Sequence, residues 1–159
     1  MNLSDIIFIV AATLNALSAG LFFAWSVSVM PGLARVSDRE FVAAMRAMNV
    51  AIQNLIFFTV FFGAPLFTVI STVLHYGESA RFSLLLAASF VHITGVFAVT
   101  VFGNVPLNNR LERLDVKLAA DDEIKSARAN FERRWNILNH FRAFSATLAF
   151  VLIALACLK

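Results

Sequence analysis

Side chains able to do acid–base and hydrogen-bonding chemistry are densest in Trp135-Asn136-Ile137-Leu138-Asn139-His140-Phe141-Arg142. At 100° per residue, Arg142, Trp135, Asn139, Asn136 and His140 fall within an arc of roughly 160°, so one helix face carries all five. A histidine can take a proton near pH 7, which makes His140 the candidate general base. Arg142 is the candidate stabiliser of an oxyanion. Three other segments carry polar groups, two at a similar depth and the third, on the first span, deeper in the membrane. Thr100, Asn104 and Asn108 are spaced four apart and share a face if the helix holds past Pro106. Asn49, Gln53 and Asn54 stand just before a long apolar run. Asn15, Ser18 and Ser26 form one stripe with Phe22 among them, and Met30 lies one turn beyond.

Plainer readings exist for each. Asn and Ser between membrane helices bind helix to helix. Arg142 could snorkel to an interface and Trp135 could belong to an aromatic belt. His75 and Tyr76 read as interfacial residues, and His92 as a buried, hydrogen-bonded histidine.

Several chemistries have no support. Cys157 is the sole cysteine, which excludes an internal disulfide, a Cys-x-x-Cys redox pair and a multi-cysteine zinc site. There is no Glu-x-x-His, His-x-x-x-His or Gly-x-Gly-x-x-Gly. No acidic residue lies within an apolar segment, so a di-iron carboxylate bundle is not expected. No metal ligand set is assigned, although a haem or metal at His140 stays open. Nothing points to nucleic acid.

The elements that must position these residues are membrane helices. Hydrophobic residues make up 60% of the 159-residue chain, charged residues 14%, and the mean hydropathy is +0.79. A soluble fold of this size lacks the interior to hide so much apolar surface. The apolar runs predict an all-α transmembrane four-helix bundle in a single domain, with spans at about 6–30, 55–75, 82–104 and 135–158. The first run has no basic n-region and is too long for a signal peptide, so it reads as a retained span. Pro31-Gly32 is expected to stop it. Ser37-Asp38, followed by Glu40, reads as a helix N-cap. The amphipathic stretch 41–54 is expected to run on into the second span, with Pro65 kinking that span. Pro106 is expected to bend or end the third helix. Residues 111–134 carry charges of both signs and read as a water-exposed helix or helical hairpin, forming amphipathic extensions with 41–54.

Eleven of the thirteen Lys and Arg residues fall between spans one and two, between spans three and four, or at the start of span four. Only Arg81 and Lys159 fall on the other side. The positive-inside rule then puts 31–54 and 105–134 in the cytoplasm and both termini outside, as in a bacterial inner membrane. Amides and an imidazole facing lipid are costly. They should therefore meet inside the bundle near its cytoplasmic end, in a pocket walled by Phe, Met and Trp. Seventeen phenylalanines supply that wall. Such a pocket suits a small, flat, mostly apolar ligand.

The stretches 19–33, 41–54, 100–111 and 135–142 resemble the anthrone oxygenase-like family of small four-span membrane proteins. Asn-Val-Pro-Leu-Asn at 104–108 and Trp-Asn-x-x-Asn-His-x-Arg at 135–142 are the most specific matches. Pro31, Asn49, Asn54, Asn104, Pro106, Asn108, Trp135, Asn136, Asn139, His140 and Arg142 match its pattern; His75 and His92 lie outside it. The resemblance implies a monooxygenase that oxidises an anthrone-like phenolic aromatic with O2 as co-substrate and no organic cofactor. On that reading His140, Asn104, Asn108 and Arg142 are catalytic. Asn136, Asn139, Trp135, Asn49, Asn54, Gln53, Phe22, Ser26 and Met30 contact substrate. The residues alone leave two alternatives: a small membrane binding or transport protein, and a haem- or quinone-binding electron-transfer subunit. The sequence does not set the oligomeric state.

Overall fold

Residues 2–159 are described by a computed structural model, and every regular element in it is helical. Among the described residues there are five helices: α1 (Leu3–Leu33), α2 (Asp38–Ala51), α3 (Leu55–Leu74), α4 (Ser79–Glu112) and α5 (Asp121–Cys157). All but α2 are long and apolar enough to cross a membrane. Around the bundle, α1 packs on α3 and α5, and α4 packs on α3 and α5. Thus α1 and α4 face each other across a diagonal. The outward faces carry exposed Phe23, Leu66, Phe90, Phe144 and Leu155, surface that water would disfavour and acyl chains accept. The protein is an integral membrane four-helix bundle with α2 added at one end.

Small and polar residues make up much of the interior, beside larger ones such as Phe22, Leu85 and Ile153. Ala11, Ala64, Ala88, Ala146, Ala149 and Ala156 are buried where the helices meet. Asn15 Nδ2 donates to Thr68 Oγ1 at 2.8 Å, and the Thr72 and Ser89 hydroxyls lie 3.0 Å apart. Lipid gives apolar side chains no reason to leave it, so close packing and interhelical hydrogen bonds hold such helices together. Among the glycines the closest approach is at Gly95, where an added Cβ would lie 2.3 Å from Ser145 Oγ and 2.5 Å from its Cβ.

Both prolines lie near irregular turns. α1 ends at Leu33, directly after Pro31-Gly32, and the chain turns there as expected, whereas Pro106 does not end α4, which continues to Glu112. In both cases the helix widens into a π-helical turn just before the proline, over Trp25–Val29 and Thr100–Asn104. Met30 N donates to Trp25 O and Val105 N to Thr100 O, each five residues back. A proline ring clashes with the carbonyl four residues earlier; a widened turn moves that carbonyl aside. Pro65 sits inside α3.

Elsewhere a predicted continuity is broken. The 41–54 stretch does not run into the second span: α2 ends at Ala51, and Asn54 starts α3 afresh by accepting from Phe57 N at 3.0 Å. Ser37 and Glu40 form the expected reciprocal cap on α2. The 111–134 stretch is the end of α4, a connection, and the first turns of α5. His75 is buried rather than interfacial, its Nδ1 2.7 Å from Ser71 O and its ring edge-on to Phe8, whereas Tyr76 is exposed. His92 is buried, but neither ring nitrogen meets a partner among the described residues.

At the α2 end, Phe41, Val42 and Met45 pack with Met30, Leu111, Ile124, Phe131 and Trp135. Arg128 ties this layer down, bonding Asp38 at 2.9 Å and Glu132 at 2.8 Å while its guanidinium covers the Phe41 ring. Arg39 bonds Asp121 at 2.8 Å.

Close approach at Gly95 makes a sharp prediction. Gly95→Ala should destabilise the protein in detergent by about 1–3 kcal/mol, the usual cost of overpacking. Gly20→Ala, where an added Cβ meets nothing within 4 Å, should be neutral or slightly stabilising. Thermal unfolding of both variants in the same micelle checks the contrast.

Candidate functional site

Both widened turns open onto one cavity of about 500 Å³ at the α2 end of the bundle. Phe22 and Trp25 reach it from α1, Asn49 from α2, and Gln53 from the link to α3. Phe57, Phe58, Phe61 and Phe62 of α3 form an aromatic wall. Thr100, Asn104 and Asn108 of α4 and Trp135 and Arg142 of α5 complete it. The four phenylalanines occupy two adjacent rows of one helix face, a helical pattern visible in the sequence but not singled out there.

Arg142 is only 6% exposed. One Nη donates to Thr100 Oγ1 at 3.1 Å and the other to Asn139 Oδ1 at 2.8 Å. The guanidinium carbon lies 4.4 Å from the centre of the Phe22 ring and 5.5 Å from that of Trp135. Nε has no partner, and none of the ion pairs among the described residues involves Arg142. A buried cation without a counter-charge is costly. The cavity it lines is where an anion would relieve that cost.

Around it the polar groups divide into two kinds. Asn139 donates to Ser26 Oγ at 2.9 Å and to Phe22 O at 3.3 Å, so both ends of its amide are occupied in orienting Arg142. Trp135 Nε1 donates to Asn108 Oδ1 at 2.9 Å. By contrast Asn104 Oδ1 and Asn49 Nδ2 are buried without partners among the described residues, and both residues line the cavity. Gln53, which donates to Asn49 O at 2.9 Å, stands at the rim. Glu112 also lines the rim, 4.0 Å from Arg46.

The structure separates the expected site residues. Phe22, Asn49, Gln53, Asn104, Asn108, Trp135 and Arg142 come together. Asn139 and Ser26 sit behind Arg142 instead of touching the cavity. Met30 belongs to the packed layer beneath α2, and Asn54 is exposed as the cap of α3. His140 is exposed and, with Asn136, borders a shallow surface groove beside Glu132 and Arg133. The reason is angular. The inward stripe of α5 is centred between Trp135, Asn139 and Arg142, which puts Asn136 roughly 90° and His140 roughly 130° away from its middle. An arc of 160° is wider than the face a bundle can enclose. His140 therefore does not line this cavity. No group of three or more His, Cys, Asp or Glu gathers among the described residues. What lines the cavity is amides, the Thr100 hydroxyl, aromatic and aliphatic side chains, a guanidinium and, at the rim, the Glu112 carboxylate, a set that binds by hydrogen bonding and charge.

The family model described as anthrone oxygenase matches residues 56–152, more than half of the chain. The matched stretch includes Asn104, Asn108, Trp135, Asn139 and Arg142. Among curated proteins and among solved structures, none matches the chain significantly.

Two substitutions separate the inner and outer faces of α5. Asn139→Ala should cost about 1–3 kcal/mol, since it strips a buried cation of its acceptor. His140→Ala should stay within about 0.5 kcal/mol of wild type, as exposed positions do. Equilibrium unfolding in mild detergent measures both.

Proposed function

The chain belongs to the anthrone oxygenase family, and from that membership we propose that it is a membrane-embedded monooxygenase acting on a flat, phenolic, anthrone-like aromatic with O2. The observation that carries this reading is Arg142, buried and without a carboxylate partner, at the wall of an aromatic cavity. A volume of about 500 Å³ lies within the roughly 300–1,000 Å³ typical of small-molecule pockets.

The chemistry asks little of the protein beyond that. Loss of a proton from the benzylic carbon turns the anthrone into an electron-rich anion whose charge sits largely on oxygen. Arg142 stabilises that oxyanion, supported by the amide of Asn49. The free carbonyl of Asn104 accepts from a substrate hydroxyl and fixes its orientation. The anion reduces O2 by one electron, the radical pair combines to a peroxide anion, and a proton returning from water gives the hydroperoxide. Loss of water then leaves a ketone: CH2 and O2 become C=O and H2O. The substrate supplies the electrons, so the proposal includes no metal, haem or organic cofactor. Glu112, the carboxylate at the rim, passes the released proton to water. The distribution of basic residues supports a topology with α2 and the 113–120 connection in the cytoplasm.

Reconstituted protein can be assayed for O2 uptake with anthrone. Arg142→Gln should lower kcat/KM by about 10²–10³-fold, the effect of removing an oxyanion partner, while His140→Ala retains wild-type turnover. Tight binding of anthrone by wild-type protein without O2 uptake overturns the oxygenase in favour of a binding protein.

A further inference from the structure

The helix pair α3 and α4 packs unevenly along its length. Near the connection between them, the Thr72 and Ser89 hydroxyls touch at 3.0 Å. Halfway along, Phe97 stacks on Phe61 with centroids 5.0 Å apart and meets Phe62 edge-on at 5.9 Å. Beyond that aromatic contact the helices separate: α3 packs along the first half of α4, not along Thr100–Glu112. The space between them is the cavity.

Residues on the two lips of this gap are apolar and exposed. Phe58 is 40% and Phe62 52% exposed on α3, and Val105 is 39% exposed on α4. All three also line the cavity. Phe102, beside the gap on the outer face of α4, is 80% exposed. In a chain that spans a bilayer, such a surface faces acyl chains. The polar residues Gln53, Asn109 and Glu112 line the same cavity toward the α2 end.

We propose that the gap between α3 and α4 is a lateral portal through which a flat, apolar aromatic dissolved in the bilayer reaches Arg142 without crossing water. The inference rests on the proposed ligand class and adds its route. A molecule with this chemistry partitions into lipid, so its local concentration is highest where the portal opens. Phe58, Phe62 and Val105 guide it in, and the Phe61–Phe97 stack closes the inner end of the slot.

Trp25 and Trp135, the two tryptophans of the chain, both line the cavity, so intrinsic fluorescence reports its occupancy. The test uses Phe58→Cys with Val105→Cys in a Cys157→Ser background, reconstituted in phosphatidylcholine vesicles. A bifunctional methanethiosulfonate bridges the lips, and reductant, removed before mixing, frees them. Quenching by 1-hydroxyanthraquinone is followed by stopped flow. Bridging should slow association at least about tenfold relative to the freed form of the same protein, and Phe62→Ala, which widens the gap without any bridge, should speed it. An association rate unchanged by both manipulations overturns the portal and leaves the proposed function standing. Absence of quenching in wild-type protein overturns both.

Discussion

A guanidinium held inside a membrane bundle with no carboxylate beside it constrains everything near it. Arg142 keeps its place because Thr100 and Asn139 accept its protons and Phe22 and Trp135 offer it aromatic faces. Three of those neighbours are themselves hydrogen-bonded: Thr100 to Val96 O, Asn139 to Ser26 and Phe22 O, and Trp135 to Asn108. The network ties α1, α4 and α5 together around one positive charge. Hydrocarbon on the outside makes these bonds hard to exchange for water, so the arrangement is stiff. Charge left uncompensated in a stiff, dry setting is what a binding site for an anion requires.

Backbone geometry makes room for that network. In an unbroken α-helix the rings of Pro31 and Pro106 would collide with carbonyls one turn back. The π-helical turns before them relieve the clash, and they bring Trp25, Thr100 and Asn104 to the cavity wall. Gly95 allows α4 to lie against Ser145 of α5 above this level. Close contact at one end and separation of α3 from α4 at the other produce a wedge-shaped void instead of a filled core. Four phenylalanines of α3 then supply its flat wall.

The α2 layer closes the end of the bundle. Its apolar face covers Met30, Phe131 and Trp135, and Arg128 and Arg39 fasten it to α5 and to the chain just before α5. Trp135 belongs both to this layer and to the cavity wall, so packing of the cap and shape of the site are linked through one ring.

Much of this was legible in the sequence. Four apolar runs of spanning length, charges gathered between them, and amides gathered at one end require a membrane bundle with a polar interior at that end. The reason is the cost of polar groups in hydrocarbon, which depends on residue type alone. The Ser37 cap was legible too, because its bonds are local. What tertiary structure decided was which side of each helix faces in. The polar arc of α5 was wider than its buried stripe, and only packing against α1 and α4 chose Asn139 and Arg142 over Asn136 and His140. Periodicity gives angles between residues on one helix, whereas the direction of the bundle axis is set by the neighbouring helices. That the helix widens ahead of Pro31 and Pro106 was likewise not legible in the sequence, because proline alone fixes only its own φ and missing N–H.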